Sequence, residues 1–254
     1  LSSAASDVYK RQELKSYFRS FIGFLFIAVT LFFLGLYFSV YNLMNGYPYF
    51  AYVVSSVTFL FMLTVPILTM RLMSDERRSK SAQLLLTSPL SLWSIVCGKF
   101  LAACAVFFLT LVCTGLYVII LSTYGNVSAI EVFVNYLGFF LMGCCLIAVG
   151  LFMSNLSENQ VASAISTFVV ILFLYLLDSI IASMSSVTML SWLCTALEWV
   201  SLFARFTDFS SGILSLTGVI YMISFAGVFL LLTVYTTEKR RWSEGCLLYT
   251  SPSP

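Results

Sequence analysis

The sequence predicts an all-α integral membrane protein: six transmembrane helices, an N-terminal interfacial helix before the first, and a structured polar stretch between the second and third. Three observations predict it. Of 254 residues 60% are apolar and only 9% charged, with mean hydropathy +0.99. A soluble domain carries about 25% charged residues, so this chain cannot cover itself with a wettable surface, and lipid is its main partner. Six runs without a single charge, at about 21–43, 51–70, 100–122, 132–152, 161–177 and 212–235, have the length that crosses a bilayer as helix. The ionisable side chains, finally, gather between the runs.

Both ends of the chain look foreign. Leu1–Gln12 (LSSAASDVYKRQ) and Cys246–Pro254 (CLLYTSPSP) read as translated adapter sequence and are set aside, which leaves 13–245 as one membrane domain. Glu13 to Ser20 reads as a short amphipathic helix lying in the interface plane, with Leu14, Tyr17 and Phe18 on one side and Lys15, Ser16 and Arg19 on the other. The first run, at roughly 34 Å of helix, is too long for a signal-peptide core, and no small-residue cleavage site follows it. Asn45-Gly46-Tyr47-Pro48 makes a turn into the second run, where Pro66 is expected to kink the helix near its inner end.

The stretch 71–99 is the densest in charge and the most structured of the connections. It holds Arg71, Asp75, Glu76, Arg77, Arg78, Lys80 and Lys99. Ser74 is placed to cap a helix whose first turn takes Asp75 and Glu76, as the helix dipole favours. Glu76 and Lys80 have the better orientation of an i,i+4 pair. Leu84 to Leu86 end that element, and Ser88-Pro89 opens a second one as cap and first helical residue. Leu90, Trp93, Val96, Cys97 and Phe100 then recur at helical spacing and run into the third span. Two helix starts, a cap and a proline break are more structure than a solvated loop needs. The stretch therefore reads as a docking device at the membrane surface, in preference to a loop whose charges only set orientation.

A small loop around Gly125-Asn126 precedes the fourth run, which carries a face of small residues: Gly138, Gly143, Gly150, Cys144, Cys145 and Ala148. Such a face lets another helix approach closely, within the subunit in preference to a dimer seam. The turn Glu158-Asn159-Gln160 reads two ways: as a second cytoplasmic contact, or as the start of the fifth span with Ser157 as cap and Glu158 in the first turn. The fifth span is expected to stop at Asp178. The external loop 178–211, with Trp192, Glu198, Trp199, Arg205 and Asp208 among apolar residues, reads as re-entrant helices that gate the outer side or as an aromatic interfacial belt. The sixth run ends at Glu238-Lys239-Arg240-Arg241-Trp242.

Orientation follows from the basic residues. With Lys10 and Arg11 set aside, ten of the eleven others fall on the side of the N-terminus and of stretch 71–99, and only Arg205 falls opposite. Positive charge marks the cytoplasmic side, so both ends and the docking stretch are expected in the cytoplasm.

Several function classes are disfavoured. The spans carry no ionisable residue at mid-membrane, where a secondary transporter usually keeps one for its coupling ion. Intramembrane serine and metalloproteases need His, and the chain has none. An aspartyl protease needs two intramembrane Asp, and Asp178 stands alone at an edge. Gly98-Lys99 is no nucleotide loop, because Trp93 stands where the first Gly is required. Seven cysteines include no C-x-x-C spacing, and most lie in apolar runs, where Cys acts as a small hydrophobe rather than a metal or redox ligand. The net charge of +2 gives nucleic acid nothing to hold. With no catalytic motif of its own, the chain would draw energy for uphill movement from a cytoplasmic partner.

At these residues the sequence resembles a known family. Glu76-Arg77-Arg78-Ser79, Leu84 to Pro89 and Gly98-Lys99-Phe100 look like the cytoplasmic loop of type-2 ATP-binding-cassette (ABC) exporter permeases, nearest to bacterial gliding-motility and nitrous-oxide-reductase-maturation permeases. Glu13 to Ser20, Ser154 to Gln160, Ser201-Leu202-Phe203 with Asp208-Phe209 and Gly212, and Arg240-Arg241-Trp242 extend the likeness over most of 13–242. One departure is Lys80-Ser81-Ala82-Gln83, where the family commonly has Gly-Thr and an acid. The resemblance implies a permease of the bacterial inner membrane that pairs with a second permease, identical or similar, and binds cytoplasmic ABC ATPase subunits. It makes 71–99 the coupling loop, with Asp75, Glu76, Arg77, Arg78, Lys80, Ser88 and Pro89 at the ATPase. No cofactor belongs to the permease, because ATP is bound by the partner. The alternative is a membrane scaffold of a motility or secretion machine that anchors an ATPase without moving solute.

Overall fold

The computed structural model of the chain describes residues 21–45, 58–74, 92–124, 128–184, 197 and 201–248. Among these, every regular element is helical. Helix α1 (Phe21–Phe38) continues as a π-helical segment, Ser39–Met44; α2 is Phe61–Thr69, α3 Leu92–Tyr124 and α4 Ala129–Leu156. Then come α5 (Gln160–Met184), the short α6 (Leu202–Ser210) and α7 (Leu216–Leu248). Five of them are long and apolar enough to cross a membrane: 21–44, 92–123, 129–156, 160–181 and 216–240. The second expected span, 51–70, falls partly on 46–57, outside the described residues, and what is described of it is the nine-residue α2.

Helix α4 is the axis of the bundle. Two thirds of its apolar window is buried (67%), against 28–39% for the other four long helices, and α2, α3, α5, α6 and α7 all pack on it. The small-residue face explains why. A Cβ at Gly138 would collide with Phe209 of α6, one at Gly143 with Phe107 of α3, and one at Gly150 with Thr69 of α2. Each missing side chain is a socket for a different neighbour, so the face packs within the subunit. Phe107, seated at Gly143, is 1% exposed and lies 6.4 Å from Phe26 of α1, 5.3 Å from Phe61 of α2 and 6.0 Å from Phe139 of α4 between ring centroids. Edge-on and tilted ring pairs of this kind each add about 0.5–1.5 kcal/mol beyond the area they bury.

The packing also sets direction. Tyr117 of α3 donates to the Leu31 carbonyl of α1 (3.2 Å), while Thr114 and Tyr136 share a hydrogen bond (3.0 Å) between α3 and α4. Cys104 and Cys144 meet at 3.6 Å farther along the same pair. Helices α3 and α4 are therefore antiparallel, and Lys99 near the start of α3 lies at the same end as the C-terminus of α4.

Helix lengths depart from the apolar runs. Helix α3 begins at Leu92, because the amphipathic segment before residue 100 and the third run form one continuous helix. Helix α5 passes through Asp178 to Met184; one Asp lowers helix propensity by less than about 1 kcal/mol and does not stop a helix at the membrane edge. Helix α7 continues well beyond Tyr235, since its polar extension holds no proline. Pro66 sits inside α2, where its missing N–H deprives the Met62 carbonyl of a helical partner.

Candidate functional site

Asp75, Glu76, Arg77, Arg78, Lys80, Ser88 and Pro89 lie outside the described residues. The described residues 70–74 lead into that stretch, and their surroundings define the site. Thr69, fully buried, donates its hydroxyl to the Val65 carbonyl (2.9 Å) and so holds the last turn of α2 together. Leu72 N–H then closes a tight turn onto the Thr69 carbonyl (3.1 Å).

This turn is bolted to α4. Ser154, fully buried, accepts from the Met73 N–H (3.1 Å) and the Ser74 N–H (3.3 Å), and its hydroxyl donates to the Met70 carbonyl (3.3 Å). Ser74 donates its own hydroxyl to the Met70 carbonyl, four residues back. One turn earlier on α4, Gly150 takes Thr69 into its gap. Gly150 and Ser154 are i,i+4 neighbours on one face of a helix, so a steric socket and a polar clasp hold consecutive parts of the same partner. Buried N–H groups without a partner cost about 1–3 kcal/mol each, which is what the Ser154 hydroxyl averts at Met73 and Ser74.

The next residue faces a different helix. Asn155, 4% exposed, donates from Nδ2 to the Thr233 carbonyl of α7 (3.2 Å). The same carbonyl receives the Thr237 hydroxyl at 2.7 Å. Arg240 of α7 returns the contact: Nη1 donates to the Asn155 carbonyl (2.9 Å) and Nη2 to the Leu156 carbonyl (3.4 Å). The last carbonyls of a helix have no partner within it, and a cation there also meets the negative end of the dipole. Ser154 and Asn155 thus make a two-sided joint, one side on residues 70–74 and the other on α7. Ser154 and Asn155 lie far from Arg240 in the sequence, and no local pattern joins the three. A Ser-Asn pair closing an apolar helix is the signal that could have found the joint.

The connection from α4 to α5 settles its cap. The Asn159 carbonyl accepts from the Ser163 N–H (2.9 Å) and Asn159 Oδ1 from the Val161 N–H (3.1 Å), so Asn159, not Ser157, caps α5. Ser157 instead closes α4, its N–H bonding the Met153 carbonyl (3.3 Å). Glu158 and Asn159 remain exposed and Gln160 is half-buried. Lys99, expected in the polar stretch, is 4% exposed within α3; a Lys can bury its long apolar stem there.

The opposite end of the bundle carries α6. Leu202, Phe203, Phe206 and Phe209 point inward, and Ser201 caps the helix by accepting from the Ala204 N–H (3.2 Å). Phe209 reaches Gly138, about 14 Å along α4 from its start at 1.5 Å per residue, so α6 is tucked into the bundle rather than laid across its rim. Arg205 sits 5.8 Å over the Tyr221 ring. Gly212, with φ of +77°, turns the chain into α7 against Glu131. Trp192 and Trp199 lie outside the described residues. Among the described residues, no group of three His, Cys, Asp or Glu side chains could hold a metal ion.

Comparison with known proteins gives one family. Residues 37–236 match the family model described as ABC-2 family transporter protein, which takes in the π-helical segment, Ser154 and Asn155, and α7 as far as Thr236. No curated protein matches the chain.

Proposed function

This chain belongs to the ABC-2 family of transporter proteins, and from that premise we infer that it is the membrane-spanning permease subunit of an ATP-driven exporter, coupled to a separate cytoplasmic ABC ATPase. The observation that carries the reading is the family match across 37–236, which includes the charge-dense stretch between α2 and α3. The permease hydrolyses nothing itself. It pairs with a second permease subunit, identical or similar, and sits in the bacterial inner membrane.

In this reading the stretch 71–99 is the coupling loop. Asp75, Glu76, Arg77, Arg78 and Lys80 present mixed charge to the ATPase, and Ser88-Pro89 starts the helix that leads back to the membrane. The geometry of the bundle supports the orientation. Arg71, Lys99, Lys239 and Arg240 gather at the end where α4 finishes, while Arg205 lies at the far end, and positive charge marks the cytoplasmic side. The exposed Glu158-Asn159 turn lies at that same end and is the natural second contact. Closure of two ATPase subunits on ATP would displace both contacts, and the tucked α6 would serve as the gate on the exit side.

The test is ATP hydrolysis by the ATPase encoded beside the permease, measured in nanodiscs with and without it. Wild-type permease is expected to change the hydrolysis rate, and Glu76→Lys with Arg77→Glu to abolish that change. A doubly charge-reversed permease that behaves like the wild type would remove 75–80 from the interface.

A further inference from the structure

The stretch that docks the ATPase is flanked in the chain by α2 and α3, so the simplest expectation is that force applied to it tilts those two helices. The hydrogen bonds add α4 to that path. The residues that lead into the stretch are tied to α4: Ser154 bonds Met70, Met73 and Ser74, and Gly150 holds Thr69. Ser154 has no exposed surface, so water cannot replace these bonds while the joint is closed. Its neighbour Asn155 binds Thr233, and Arg240 binds the Asn155 and Leu156 carbonyls. Force entering at residue 74 therefore reaches α4 as well as α2, and α4 is bonded to α7 at the same level.

We propose that Ser154 is a positioning residue: it fastens the lead of the docking stretch to α4, so that α2, α4 and α7 move as one unit when the stretch is displaced. This deepens the reading above and rests on its claim that the loop 71–99 receives the ATPase. The chemistry requires a small hydroxyl at this position. Its oxygen accepts two N–H groups while its proton serves a carbonyl, a combination that Ala cannot provide and that a larger polar side chain has no room to make. The stretch of α7 around 236–240 then reports motion that began at 70–74.

Hydrogen exchange read by mass spectrometry tests this on the permease–ATPase complex in nanodiscs, without nucleotide and with ATP plus vanadate. In the wild type, nucleotide is expected to change exchange at 70–74 and at 236–240 together. Ser154→Ala should raise exchange at 70–74 about tenfold, the size of one lost buried hydrogen bond. It should also erase the nucleotide response at 236–240 while the ATPase still co-purifies. Retention of the wild-type response at 236–240 in that variant overturns the proposal and leaves the docking reading standing. If Ser154→Ala does not fold, Asn155→Ala with Arg240→Gln takes its place, removing both ties between α4 and α7: protection at 70–74 should persist and the response at 236–240 should vanish, and a surviving response again overturns the proposal. A wild-type permease that binds no ATPase sinks the docking reading itself, and this inference with it.

Discussion

Three glycines on α4 show how much of this membrane protein is decided one side chain at a time. Gly143 exists to admit Phe107, so Gly143→Leu must push that ring out of a cluster joining four helices. Overpacking of this kind costs about 1–3 kcal/mol or more, and thermal unfolding in detergent, followed by size-exclusion fluorescence, should shift down by several degrees. Gly227, where an added Cβ meets nothing within 4 Å, gives the control. Gly227→Ala should leave the midpoint unchanged or raise it, because Ala is better than Gly inside a helix by about 1 kcal/mol. At Gly212 the requirement is backbone conformation: φ of +77° costs an L-residue about 1–2 kcal/mol, so Gly212→Ala should lower the midpoint. The apolar face and its small residues were legible in the sequence as a place of close approach. Which partner entered each gap was not, because Phe107, Phe209 and Thr69 lie 36, 71 and 81 positions away from Gly143, Gly138 and Gly150 and no local pattern relates them. Asn159 was missed as the cap for a different reason. Ser157 and Asn159 are both good caps, and α4 used the Ser157 N–H for its own last turn.

At the scale of elements, apolar run length located five of the long helices and misjudged their ends. Charge marks where a helix leaves lipid, not where it stops, so α5 ran past Asp178 and α7 past Tyr235. Helix α6 was legible only as an ambiguity. Its spacing of Leu202, Phe203, Phe206 and Phe209 is that of an amphipathic helix, and such a helix suits a membrane rim or a groove between helices equally well. The packing of Phe209 on Gly138 and Gly218 is what tucks it inward. Phe209→Ala removes a fully buried ring, at a cost of about 3–5 kcal/mol that falls on α6 alone. Limited proteolysis of the purified protein should then cut around 201–215 many times faster than in the wild type, with α3 to α5 unaffected. Equal cleavage rates would mean that α6 is held by something other than this socket.

The whole molecule is a bundle built around α4, with its polar joint at one end and α6 at the other. In the proposed reading that asymmetry has a direction: an ATPase beneath the joint and an exit beside α6. It predicts that a membrane-impermeant amine reagent added to inverted vesicles modifies Lys80, while reagent added to right-side-out cells does not. In the proposed mechanism Ser154, Asn155 and Arg240 extend a stretch of charges to a linkage through the bundle. The sequence contained each of these residues, but the linkage is a property of three dimensions, in which residues about 80 positions apart meet.

The claim on which the rest depends is that the stretch after α2 holds an ATPase. Co-purification of tagged permease with the ATPase encoded beside it, for the wild type and for Arg77→Ala with Arg78→Ala, tests it directly. The ATPase should travel with the wild type and be lost from the double variant. Equal recovery with both would place the docking surface elsewhere, and recovery with neither would contradict the coupling of this permease to that ATPase.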